Sequence, residues 1–130
     1  MQNLTDLGFA YIGECRAEFG RLRVDVARNG DRGPALYAFV SGDDLLYIGR
    51  TSVPLAKWLA RYTEPTPTPK EVFRNRALLL SRLSVGQSVE IWALVDWEPV
   101  SHRGVDIDVP AGLEAALVRH LRPEWNAGQS

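Results

Sequence analysis

A chain of 130 residues with 45% hydrophobic and 24% charged side chains reads as one globular domain, long enough for a core without disulfide or metal staples. A formal net charge of −1 is not the strongly basic footprint of most nucleic-acid binders, and a single cysteine, Cys15, excludes an internal disulfide framework. No run approaches the ~18 apolar residues of a membrane helix, and Met1 to Asp6 lacks the start of a signal peptide, so no membrane contact and a reducing cytoplasm are expected.

Residues 8–16 and 21–28 read as paired strands joined at Phe19-Gly20. In the second, Leu22, Val24 and Val26 alternate with Arg21, Arg23 and Asp25. Cys15 is expected as a small buried apolar residue. After the loop 29–34 come strands 35–41 and 44–49 around the turn signal Ser41-Gly42-Asp43-Asp44. Each of these two strands carries one phenol, Tyr37 and Tyr47. Thr51 or Ser52 would cap the next helix, with Pro54 in its first turn and Leu55, Trp58, Leu59 and Tyr62 at helical spacing. Three prolines make 63–69 an extended loop. A helix over 70–84 presents Val72, Phe73, Leu78, Leu79 and Leu83, and Gly86 stops it. Residues 88–96 form a strand, and 97–109 are loop or weak strand. Pro110-Ala111-Gly112 opens the last helix, 111–121, which Pro123 ends. Strands with segregated helices predict an α+β fold: a small, mainly antiparallel central sheet flanked by helices.

Charge is unevenly spread. Residues 50–82 carry +5, against −2 before and −4 after them. That middle third suits phosphate contact. Arg74, Asn75 and Arg76, with the proline loop, would form a DNA-facing edge.

Ala35-Leu36-Tyr37, a turn containing Gly42, Tyr47-Ile48-Gly49, a following Arg50, Glu114 on the last helix and Pro123-Glu124-Trp125-Asn126 stand in a telling order. Together they resemble the GIY-YIG nuclease family over residues 35–126. The resemblance implies a nuclease-like core over 35–127, with residues 1–34 as an added N-terminal β-hairpin packed on the same domain. Tyr11-Ile12-Gly13 repeats one motif, but no apolar strand ending in tyrosine precedes it at hairpin distance, so it is read as lying outside the site.

The resemblance further implies a divalent-metal-dependent endonuclease acting on DNA phosphodiester bonds. Glu114 would hold Mg²⁺ (or Mn²⁺), a hard cation that keeps several waters and for which one carboxylate suffices. Tyr37 and Tyr47 are candidates for general base and for positioning water or phosphate, Tyr47 being preferred as the base. A phenol with an ordinary pKa of ~10 needs a cation beside it to act near neutral pH. Tyr62 fits the family's next-turn Tyr or His, Asn126 braces the site, and Gly49 permits close backbone approach. One departure stands out: the family's helix arginine aligns with Trp58, which cannot make a charge-assisted bond to phosphate. Either Arg61, Lys57 or Arg50 replaces the guanidinium, or the protein is a weakened or inactive nucleic-acid-binding module on the same fold. Arg50, Lys57, Arg74 and Arg76 are the candidate DNA contacts. With so little basic surface, a homodimer or another protein partner is expected to help hold a long substrate.

Overall fold

The computed structural model describes residues 2–126; the expected core boundary at 127 lies outside the described residues. The elements in chain order are α1 (Gln2–Asp6), β1 (Ala10–Glu18), β2 (Arg21–Val26), β3 (Ala35–Ser41), β4 (Asp44–Thr51), α2 (Leu55–Leu59), a 3₁₀ turn (Ala60–Thr63), α3 (Lys70–Ser84), β5 (Val89–Leu94), β6 (Ser101–His102), β7 (Val105–Asp106), α4 (Val109–Leu121) and a last 3₁₀ turn (Glu124–Asn126). Five strands form one sheet in the order β2-β1-β5-β3-β4, with every neighbouring pair antiparallel. The fold is therefore α+β, with an antiparallel central sheet and an N-terminal hairpin. That hairpin does not form a separate layer: β1 pairs directly with β5 and continues the sheet. Among the described residues, no helix is long and apolar enough to cross a membrane.

Side chains alternate across a strand, so each face of the sheet collects its own apolar set. Tyr37, Phe39 and Tyr47 point to one face and pack with Leu55, Leu59, Tyr62, Val72 and Leu79. Leu36, Ala38, Val40 and Ile48 point to the other and pack with Leu4 of α1 and Leu117 of α4. The sheet is thus the middle of three layers. This explains why β3, flanked by β5 and β4 and covered on both faces, is buried at every position and reads as nearly continuous apolar sequence.

The turns follow from local chemistry. Ser41 pairs with Asp44 around Gly42, whose φ of 60° suits a residue without Cβ. At the β1–β2 turn, both Phe19 and Gly20 have positive φ, the requirement of the tight turn that matches strand twist.

Several local readings change. The helix expected to run through Tyr62 ends at Leu59 and tightens into the 3₁₀ turn. Neither Thr51 nor Ser52 caps it. Thr51 is the last residue of β4, and its hydroxyl closes a small turn by accepting from the Val53 amide at 3.0 Å and donating to the Val53 carbonyl at 2.9 Å. The last helix starts at Val109, where the Asp108 carboxylate accepts from the Ala111 amide at 3.2 Å. One reading stands: the segment 97–109, expected as loop or weak strand, holds the short β6–β7 ribbon. Phe73, read as an apolar position of α3, is half exposed.

Candidate active site

The β3–β4 register builds the site. Tyr37 lies opposite Gly49, and Phe39 opposite Tyr47, so both phenols stand on one face. Their ring centroids are 6.0 Å apart. A Cβ at Gly49 would lie 2.6 Å from Cζ and 2.7 Å from Oη of Tyr37, and 2.7 Å from Cε2 of Tyr47. Gly49 is what lets the two rings close over the strand.

A cleft of about 320 Å³ opens over these rings, lined by Tyr37, Tyr47, Arg50, Trp58, Pro69, Glu71, Val72 and Glu114. Glu114 arrives from α4. Its neighbour Leu113 packs into the second apolar cluster, and one residue along a helix turns about 100°, which carries Glu114 away from that cluster. Its carboxylate meets Arg50 Nε at 3.5 Å, and Arg50 also approaches Asp108 at 3.7 Å. Burial raises the Glu114 carboxyl above its ordinary value, partly offset by Arg50.

Beneath the cleft runs a buried polar chain. The Trp58 indole donates to Tyr37 Oη at 3.0 Å. Tyr37 Oη and Tyr62 Oη share a hydrogen bond of 2.9 Å, and the Asn75 amide donates to Tyr62 Oη at 3.4 Å. Burial dominates the titration of the two phenols in this chain: Tyr37 and Tyr62 are pushed well above the ordinary phenol range. Tyr47 is raised too, by burial first and then by the charges of Glu114 and Glu71, while Arg74 and Asn75 act in the opposite direction. Of the two cleft phenols, Tyr37 is therefore the less able to ionise. It is wholly buried and already hydrogen-bonded on two sides.

The sequence-predicted residues divide. Tyr37, Tyr47, Arg50 and Glu114 share the cleft, with Tyr62 bonded below it. Arg61 does not line the cleft. Its guanidinium sits 5.1 Å from the centroid of the Trp58 ring and donates to the Thr68 carbonyl at 3.3 Å. Lys57 is exposed on α2 outside the cleft lining. Arg74 donates to the Trp125 carbonyl at 2.8 Å and to Asn75, while Arg76 is half-buried on α3. Asn75 is no part of an exposed edge; it is fully buried. Asn126 accepts from the Ile48 amide at 2.9 Å and donates to the Ile48 carbonyl at 3.0 Å, closing two backbone groups on the edge strand β4. Tyr11 stacks edge-on to Trp92, and Tyr11-Ile12-Gly13 contributes nothing to the cleft.

Sequence reasoning missed Glu71 as a cleft residue and placed the buried Asn75 on an exposed edge. Glu71, in the first turn of α3, had read only as one of two acids in a basic segment. Among the described residues no three acidic, histidine or cysteine side chains cluster, so a cation here would rest on one or two carboxylates and water. The donors would suit a hard cation: Glu114 offers a carboxylate held partly out of water, and Glu71 lines the same cleft.

No protein-family model matches this sequence, and no curated protein matches it. Solved structures do match, and two of them are similar along nearly the whole chain. One is a glutamate-to-alanine mutant of bacteriophage T4 EndoII, with TM-score 0.74 and 21% identity, covering 96% of each chain. The other is the restriction endonuclease HPY188I in complex with product DNA, with TM-score 0.52 and 16% identity, covering 99% of this chain and 84% of that one. The chain shares their fold. This is the outcome that the hairpin motifs implied for the architecture. Matches of this extent take in the N-terminal strands as well as the region from β3 onward.

Proposed function

We propose that this protein is a divalent-metal-dependent endonuclease that hydrolyses DNA phosphodiester bonds in the Tyr37–Tyr47–Glu114 cleft. The observation that carries the reading is convergence: two phenols, a guanidinium and a partly buried carboxylate from β3, β4 and α4 line one cleft. The fold shared with two nucleases, one captured with product DNA, supports DNA as the partner.

Glu114 would hold Mg²⁺ or Mn²⁺, and the ion would polarise the phosphate and relieve charge on the leaving 3′ oxygen. Arg50 meets the phosphate by exchanging its contacts to Glu114 and Asp108 for phosphate oxygens. Tyr47 is the base or water-positioning group, because its ring lines the cleft and is less enclosed than Tyr37. Tyr37 and Tyr62 act as a buried brace that fixes the angle of Tyr47. Lys57 and Arg61 would lie on the outer track of the DNA backbone. A second copy of this chain is proposed to extend that track.

A second reading, a non-catalytic DNA-binding module, is favoured by one observation: an indole N–H, not a guanidinium, holds Tyr37. The discriminating assay is cleavage of single-stranded, duplex and branched DNA with Mg²⁺ or Mn²⁺. It is run beside Glu114→Ala and Tyr47→Phe. The nuclease reading expects metal-dependent cutting that Glu114→Ala abolishes and Tyr47→Phe lowers at least about 100-fold. Salt-sensitive binding without cutting on any substrate would select the binding module, and Trp58→Arg would be the first variant tested for gain of cleavage.

A further inference from the structure

Near the end of β4 the Arg50 guanidinium is shared between two carboxylates, Glu114 of α4 and Asp108 at its head. Its Nε lies 3.5 Å from Glu114 Oε1, and its Nη1 lies 3.7 Å from Asp108 Oδ2. The other Asp108 oxygen accepts from the Ala111 amide at 3.2 Å, which ties that carboxylate to the first turn of the helix. Both acids therefore ride on one rigid element. Arg50 is the part free to move between them, since its side chain is 44% exposed. Among the described residues, Glu114 has no ion-pair partner besides Arg50. The carboxylate that would hold a cation is thus already neutralised in the free protein. A guanidinium cannot shed its charge, so it competes with a divalent cation for Glu114, and the two repel one another. At 3.5 Å its hold on Glu114 is not a close hydrogen bond, whereas phosphate oxygens can accept from the planar fork two at a time.

We propose that Arg50 is a latch on Glu114 that makes DNA phosphate and the divalent cation bind cooperatively, with Asp108 as the second seat of the guanidinium. A phosphate entering the cleft draws Arg50 off Glu114 and leaves an unpaired carboxylate for the cation. When Glu114 takes the cation, Arg50 is expelled toward Asp108, which is fixed at the head of α4 and keeps the guanidinium at the cleft rim. Each ligand removes the obstacle to the other, and by linkage the two effects are equal in size. This rests on the nuclease reading and adds a regulation to it. Glu114 stays neutralised, and the cleft holds the cation weakly, until DNA arrives.

The test measures Mn²⁺ uptake by the paramagnetic resonance signal of the free ion, with and without a short DNA duplex. The Tyr47→Phe protein is used so that the duplex is not consumed, and uptake that persists when Glu114→Ala is added is subtracted. The duplex should tighten Mn²⁺ about tenfold, and Mn²⁺ should tighten the duplex by the same factor in fluorescence anisotropy. Arg50→Gln removes the charge from a half-exposed position whose ion pairs contribute little to the fold, so the variant should remain folded. Without DNA it should bind Mn²⁺ about tenfold more tightly, and the duplex should then add no more than about twofold. Plain attraction of Mn²⁺ to a nearby phosphate would survive Arg50→Gln undiminished. Full coupling in Arg50→Gln therefore overturns the latch, and so does a Mn²⁺ affinity of the DNA-free protein that Arg50→Gln leaves unchanged. Either result leaves the nuclease reading standing if the protein with Tyr47 intact cuts DNA. Coupling that disappears in Arg50→Gln, in a protein that cuts nothing with Tyr47 intact, supports the latch and overturns the nuclease reading instead. No uptake at Glu114 in either protein, with or without DNA, overturns both.

Discussion

At Gly49 two aromatic rings occupy the space that one methyl group would need. The conflict is with Tyr37 Cζ and Oη and with Tyr47 Cε2, all within 2.7 Å of the missing Cβ. Tyr37 is fixed by Trp58 and Tyr62 and packs edge-on to Phe39, and the Tyr47 ring stacks on the same Phe39. Gly49→Ala should therefore cost about 1–3 kcal/mol, as overpacking does, and should splay the phenols. Urea denaturation reads the stability, and cleavage reads the geometry. A variant with unchanged stability and activity would mean that the rings are looser than their packing implies. The glycine was legible as a place of close approach. What approaches it was not, because the register that sets Tyr37 opposite Gly49 depends on a bulge between Phe39 and Val40 that leaves no mark in the sequence. Asn75 was illegible for a different reason. An asparagine between two arginines looks solvated, and its partner Tyr62 is brought to it only by tertiary packing.

Elements were legible where one physical signal dominated and shifted where two competed. The helix Lys70–Ser84 coincides with its expected range, set by the proline run before it and Gly86 after it. The helix from Leu55 had the right apolar spacing but not the length: Leu55, Leu59 and Tyr62 are all fully buried, and a 3₁₀ turn delivers Tyr62 to Tyr37 after only five α-helical residues. At α4, Pro110 drew the start too late. The capping side chain is Asp108, and Pro110 sits inside the first turn, where its missing N–H costs nothing. This cap has a consequence for the site, because Asp108 is also a partner of Arg50. Asp108→Ala should cost about 1 kcal/mol through the lost cap, while Asp108→Asn should cost only a few tenths. The Arg50–Asp108 contact joins exposed groups at 3.7 Å and contributes little to either figure. Equal losses in the two variants, measured by chemical denaturation, would mean that the charge matters more than the cap.

For the whole molecule, the segment carrying +5 turns out to spend much of its charge internally. Arg82 reaches Glu124 at 3.1 Å and Asp44 at 3.8 Å, Arg74 is turned toward Asn75 and Trp125, and Arg50 is shared between Glu114 and Asp108. Lys57, Arg61 and Lys70 remain exposed, and none of them has an ion-pair partner among the described residues. The sequence could give the sum of charges, but which were already neutralised depends on residues far apart in the chain. With Arg50 released to the substrate, one protomer then offers about four phosphate contacts, and the affinity for duplex DNA should fall with salt at a log–log slope of about −4. A proposed second protomer doubles the track, and the slope should steepen toward about −7. Binding measured across a salt series, with light scattering on the free protein and on its complex, separates the two. A dimer on DNA with the steep slope supports the shared track. A monomer that cuts duplex DNA unaided, with the shallow slope, removes the need for a partner and leaves recognition to the single cleft and the few cations at its rim.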